Sequence, residues 1–151
     1  MREILFRGKR EDNGDWVYGS FIPDLCEVYY GDKLNGFIKP FGKTKEERLM
    51  VEVDRKTVGQ YTGLKDRNGT RIFEGDILQV EQYGNPGSRS LSINVGEYID
   101  ADSDFDYPCI GFYIKIPDGC CNIGALLTDG FEYEVIGNIH DNPELMGVND
   151  G

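Results

Sequence analysis

The 151-residue sequence predicts a mainly β protein, a small-barrel or sandwich-like sheet of short strands with little helix, and three features carry that prediction. Twenty glycines mark many turns. Apolar residues fall in short alternating runs rich in aromatic and β-branched side chains, the pattern of half-buried strands. An Asn-Gly pair also stands twice between such runs, at Asn13-Gly14 and Asn68-Gly69. Each pair signals a hairpin, because a type I′ turn needs positive φ at both central residues and Asn and Gly tolerate it best.

The two pairs belong to a longer likeness. At a constant offset of 55 positions, "FRGKREDNGDWVYG" (6–19) matches "YTGLKDRNGTRIFEGD" (61–76). Phe6 falls on Tyr61, Gly8 on Gly63, Arg10 on Lys65, Glu11 on Asp66, Val17 on Ile72 and Tyr18 on Phe73. Two copies are too few for a stacked repeat array, so the likeness predicts an internal duplication. It implies one domain over 1–151 with pseudo-repeated halves 1–56 and 57–151, related by a pseudo-two-fold axis or each starting its own small barrel.

In chain order, "REILFRG" and "WVYGSFI" are the strands of hairpin one, and "CEVYY" and "GFIKPF" are strands divided by "GDKLNG". "GKTKEERL" holds one helical turn, and "LMVEV" alternates again. Hairpin two runs from "TVGQYTG" into "TRIFEGDILQV", where Gly75 allows a bulge or sharp bend in mid-strand. "QYGNPGSRS" is a loop, "LSINVGEYI" and "IGFYIKI" are strands joined by the acidic "DADSDFDYP", and "ALLT" and "FEYEVIGNI" close the sheet. The tail "HDNPELM" is a short helix with Asn142 as cap and Pro143 at its first position, where the missing N–H costs nothing.

Charge is uneven. The net −11 divides into +1 over residues 1–75 and −12 over 76–151, where only Arg89 and Lys115 oppose 14 acids. Such a field disfavours duplex DNA and anionic lipid and favours basic partners. No apolar run spans a bilayer and no signal peptide opens the chain, so the expectation is a soluble, cytoplasmic protein with no membrane association. Cys26, Cys109, Cys120 and Cys121 form no C-x-x-C pair, and with a single histidine they predict free thiols rather than disulfides or a zinc site.

The run "VGQYTGLKDRNGTRIFEGDIL", with the opening "MREILFRG" and the closing "EVIGNIHDNPELM", resembles the YopX family of bacteriophage and prophage proteins. The resemblance covers both ends and the middle of the chain; residues 23–56 and 100–106 are less family-like. It implies a phage-encoded protein of a bacterial host cell, mainly β, and it transfers no catalytic residue.

Individual residues yield little chemistry. Asp100, Asp102, Asp104 and Asp106 alternate as in a calcium loop, but the position needing glycine is Phe105 and the one needing glutamate is Gly111, leaving only a weak cation candidate. His140 and Asp141 read as an exposed turn, with Asp141 or Asn142 accepting a backbone N–H. Glu74 and Asp76 read as a bend in which glycine permits the turn and aspartate ties it. No catalytic residue, cofactor or metal is expected. Trp16 and Tyr18 share a strand face, either as core or as a platform beside Arg7, Lys9 and Arg10. They are the candidate partner-binding residues of a non-enzymatic protein-binding or adaptor module. The alternatives are a nucleic-acid-associated regulator and a small hydrolase. Self-association is expected through exposed strand edges of the two hairpins.

Overall fold

The computed structural model describes residues 3–23, 36–82, 88–101, 108–116, 119–127 and 130–147, in two compact units, Met1–Tyr61 and Thr62–Gly151. The protein is mainly β, with ten strands, one 3-10 turn and one short helix among the described residues. The segment "CEVYY", including Cys26, lies outside them.

In the first unit, β1 (Phe6–Arg10), β2 (Trp16–Ile22), β3 (Gly36–Pro40) and β4 (Val51–Lys65) pair antiparallel in that order. β1 also pairs with β4, so the ladder closes on itself. Both strands of hairpin one therefore have neighbours on each side. This corrects the expected free edge there: β1 is flanked by β2 and β4, and β2 by β1 and β3. Closure places Ile38 and Val53 entirely out of solvent and sets Phe6 and Phe21 with ring centroids 5.9 Å apart.

Closure also needs a bulge. Along β1, Arg7 faces Gly59 but Lys9 faces Asp54, so Arg55 to Val58 stand out of register on β4. Thr57 supports them: its Oγ1 accepts the Lys9 N–H at 2.8 Å and donates to the Asp54 carbonyl at 2.6 Å. The β3–β4 connection holds a single hydrogen-bonded turn where one helical turn is expected, the Arg48 N–H reaching the Lys45 carbonyl at 3.2 Å and the Leu49 N–H the Glu46 carbonyl at 3.4 Å. Thr44 and Glu47 make a capping box there, the Thr44 Oγ1 accepting the Glu47 N–H at 3.2 Å and the Glu47 carboxylate accepting the N–H groups of Lys43 and Thr44.

In the second unit, the end of β4 pairs with β5 (Arg71–Phe73). A second sheet has the order β10-β6-β7-β8-β9, with β6 Asp76–Gln82, β7 Ser88–Tyr98, β8 Cys109–Ile116, β9 Gly119–Asn122 and β10 Phe131–Asn138. Ile72, Leu78, Val80, Leu91, Ile93, Ile114, Cys121 and Leu126 form its core, with Phe112, Phe131, Tyr133 and Val135 packed against them.

Three local expectations change here. "TRIFEGDILQV" is two strands, not one, because Gly75 at φ 89° turns the chain sharply between β5 and β6. Asp76 ties that bend as expected: its fully buried carboxylate accepts the Phe73 N–H at 2.7 Å. "ALLT" does not extend the sheet; its first residues lie in the 3-10 turn Ile123–Leu127, which presents Leu126 to the core. The tail helix is α1 (Glu144–Gly147), yet the Asn142 side chain turns away from it, its Oδ1 accepting the Asn138 N–H at 3.3 Å.

Both Asn-Gly hairpins form, with Gly14 at φ 76° and Gly69 at φ 81°, but neither is a type I′ turn. No described residue other than glycine has positive φ, so Asn13 and Asn68 stay in the ordinary region. In hairpin two the Asp66 N–H reaches the Thr70 carbonyl and the Gly69 N–H the Asp66 carbonyl, a three-residue loop that ends in a left-handed glycine. In hairpin one the closing bonds join Arg10 to Asp15 and Gly14 to Arg10, a loop one residue longer.

Candidate functional site

The site follows from the register of hairpin one. Arg7 stands opposite Tyr18 and Lys9 opposite Trp16, and strand alternation puts all four side chains on one face. The Arg7 guanidinium carbon lies 4.5 Å from the centroid of the Trp16 ring, and the Lys9 ammonium 5.8 Å from it. Arg7 is buried at 6% exposure while Tyr18 is 46% exposed and Trp16 half-buried. A desolvated cation over an indole contributes about 2 kcal/mol, so Arg7 holds the ring in one orientation and leaves Tyr18 beside it as the outward-facing aromatic.

Arg10 does not join this face. Strand alternation turns it to the other side, where its Nε and Nη2 donate to the two carboxylate oxygens of Asp12 at 2.9 and 2.7 Å. These bonds hold the Asp12 carboxyl below its usual range and raise Arg10 above its own. The platform beside Trp16 and Tyr18 thus contains Arg7 and Lys9 only. The basic residues of 39–56 are divided: Arg55 and Lys56 are exposed on the β4 bulge, whereas Lys39, Lys43, Lys45 and Arg48 surround the β3–β4 connection. Glu52 and Asp54 lie between these groups along β4.

The other sequence candidates are scattered. Asp100 makes an isolated bridge with Cys120, and Asp102, Asp104 and Asp106 lie outside the described residues. His140 is half-buried rather than exposed, with Nε2 3.5 Å from where a Cβ on Gly75 would stand. Asn138 organises that turn: its Oδ1 accepts the N–H groups of His140 and Asp141, and its Nδ2 donates to the Asp141 carboxylate at 3.1 Å. Cys109 and Cys120 are half-buried and Cys121 is buried, all as free thiols.

Sequence reasoning missed a well-connected polar group of the second unit. Asp66, 7% exposed, accepts the N–H groups of Asn68 and Thr70 on Oδ1 and of Val135 on Oδ2, each at 2.9 Å. It binds the hairpin-two turn to β10, whose outer edge is further met by the Arg67 N–H at the Tyr133 carbonyl. Around it, Arg67 reaches Glu132 at 3.2 Å and Glu134 at 2.8 Å, and Asn68 Nδ2 donates to Glu134 at 3.0 Å. The signal available was an aspartate two residues before Asn-Gly, where its oxygen can fold onto the turn, with glutamates alternating on "FEYEV".

The fold defines a class: a mainly antiparallel β protein built from hairpins, among the described residues one ladder closed on itself and one open sheet, with an aromatic and cationic strand face on the first. Residues 5–147 match the YopX protein family, and the chain belongs to that family. The crystal structure of protein EF1440 from Enterococcus faecalis has a similar fold, with a TM-score of 0.51 at 23% identity over 97% of this chain and 99% of that one. Among curated proteins none matches the sequence. No described helix is long and apolar enough to cross a membrane.

Proposed function

We propose that the protein is a non-enzymatic protein-binding or adaptor module of phage or prophage origin, acting in the bacterial cytoplasm. It engages a partner protein through the β1–β2 face bearing Trp16 and Tyr18. The observation that carries this reading is the Arg7 and Lys9 cover on Trp16 beside an exposed Tyr18, since Trp, Tyr and Arg are the residues in which binding energy concentrates at protein interfaces. Arg7 and Lys9 already pack on the Trp16 ring, so less of its side-chain freedom remains to be lost on contact. Stacking of single-stranded nucleic acid is a weaker reading, because a base would have to displace the Arg7 guanidinium from the ring. Hydrolysis has less support, since Asp66 and Asp76 are engaged with backbone N–H groups and Asp141 with Asn138.

The test is affinity capture from infected or lysogenic cells with the wild-type protein and with Trp16→Ala and Tyr18→Ala. A partner that comes down with the wild type and is lost from both variants, while their circular dichroism is unchanged, supports the reading. Equal recovery by all three removes this face as the interface. A gel shift covers the regulator reading: the net charge of −11 predicts no submicromolar retention of duplex DNA near about 150 mM salt.

A further inference from the structure

Two apolar patches of opposite electrostatic setting stand exposed, one on each unit. The first lies where the β3–β4 ladder ends. The pairing ends at Ile38 opposite Val51, and the connection beyond it carries Phe41, Leu49 and Met50, all exposed. Phe41 and Leu49 are 62% and 64% exposed. The capping box of Thr44 and Glu47 fixes this connection, and Lys39, Lys43, Lys45 and Arg48 are exposed around it against the two acids Glu46 and Glu47, leaving the setting net positive.

The second lies on the β7–β8 hairpin. Along one face, Ile93 and Ile114 sit in the core, Val95 faces Phe112, and Glu97 faces Ile110. The strip thus continues outward from the core as Val95, Ile110 and Ile99, with Ile110 86% exposed. The opposite face of the same hairpin is covered: Tyr98 is buried, stacks on Tyr113 at 4.8 Å, and its hydroxyl accepts a bond from Asn122. Residues 1–61 carry 11 Lys/Arg and 11 Asp/Glu, which leaves 5 against 16 in residues 62–151, so the whole net charge of −11 belongs to the second unit.

We propose that the occupant of the β7–β8 strip is the basic apolar connection of a second copy of this chain, giving head-to-tail association. Charge decides the geometry. A two-fold contact of strip on strip would bring two copies of Glu97 together in a desolvated seam, where like charges are costly. Strip against connection instead sets Glu97 near lysines, and apolar surface covers apolar surface on both sides. It also joins an electrically neutral unit to the acidic one, so the net charge of one copy does not meet that of the next at the contact. A heterologous contact of this kind uses two different surfaces.

That asymmetry is the test. Light scattering after size exclusion at about 100 μM, a concentration that reveals micromolar association, should give the wild type a mass above one chain of 17.1 kDa. Ile110→Lys, which spoils the strip, and Leu49→Glu, which spoils the connection, should each give the mass of one chain with unchanged circular dichroism. Mixed in equal amounts they should form a species of two copies and nothing larger, because one variant supplies an intact connection and the other an intact strip. A single-chain mass for the wild type, assembly surviving in either variant, or a mixture that remains single chains overturns the proposal.

Discussion

The two Asn-Gly hairpins share residue types at matching offsets, yet their turns are supported in different ways. At the first, the side-chain bonds are local, Asn13 Oδ1 accepting the Asp15 N–H and Arg10 pairing with Asp12, and one backbone bond, from the Glu11 N–H to the Glu52 carbonyl at 3.1 Å, ties the turn to β4. At the second, the turn is wired to a strand more than 60 residues away, through Asp66 to Val135, Arg67 to Glu132 and Glu134, and Asn68 to Glu134. A turn signal specifies that the chain reverses. Whether the reversal also holds a tertiary structure together depends on what stands beside it.

The largest expected break in this comparison is Asp66→Ala. It leaves three N–H groups without their acceptor in a partly buried setting, and should lower stability by about 1–3 kcal/mol in chemical denaturation. Asp66→Asn, which keeps one carbonyl oxygen, should lose less. A change below about 0.5 kcal/mol for Asp66→Ala, the size ordinary for surface substitutions, would mean the two turns are energetically alike after all.

Gly75→Ala comes next. The residue has φ 89° and lies between the Ile93 carbonyl, which accepts its N–H at 2.9 Å, and the Ile139 N–H, which reaches its carbonyl at 2.8 Å. Both neighbours oppose any backbone shift, and His140 gives a Cβ only ordinary contact. The cost should be about 1–2 kcal/mol, read from the shift in denaturation midpoint.

Gly14→Ala and Gly69→Ala sharpen the comparison by isolating the backbone. Both glycines have φ near 80°, and neither has an atom within 4 Å of the added Cβ. Each should cost about 1 kcal/mol, the same within error, because the left-handed penalty is local. Unequal losses would show that the tertiary support of the second turn extends to its backbone conformation.

The smallest effect is expected at Asp12, in the first turn. Its carboxyl is held below the usual range by the hydrogen bonds from Arg10, so its contribution is present above the ordinary carboxylate value and is lost as pH falls through the lowered one. Because the pair is solvent-exposed and screened, Asp12→Ala should lower the neutral-pH midpoint only slightly, and the difference from wild type should vanish as the pH falls below about 4, the ordinary carboxylate range. Acid titrations of wild type and variant followed by circular dichroism check it; a clear loss at neutral pH would make the first turn as consequential as the second.

Much of the chain was legible because strands and bends leave local marks. Alternating runs placed β1, β2, β3, β7, β8 and β10, and the glycine before Asp76 marked the bend that splits β5 from β6. The YopX family likeness was also readable from the motifs and holds over residues 5–147. The candidate face was half legible: alternation grouped Trp16 with Tyr18, but only the register of β1 against β2 showed that Arg7 and Lys9 lie on that face and Arg10 does not. "ALLT" was misread because a four-residue apolar run has the same appearance in a strand and in a helical turn.

By itself the sequence determined where the two Asn-Gly hairpins and the Gly75 bend reverse the chain, since glycine's freedom and strand periodicity act within a few residues, but not that Asn13 and Asn68 keep ordinary φ. Tertiary structure alone decided the rest. The loop type at each Asn-Gly pair depends on which residues close the ladder, and that is set by register. The closed pairing of β1 with β4, the bond from Asp66 to Val135 and the burial of His140 against Gly75 all join residues distant in sequence. Their partners are chosen by packing and by the need of every buried N–H for an acceptor, and no local pattern encodes that choice.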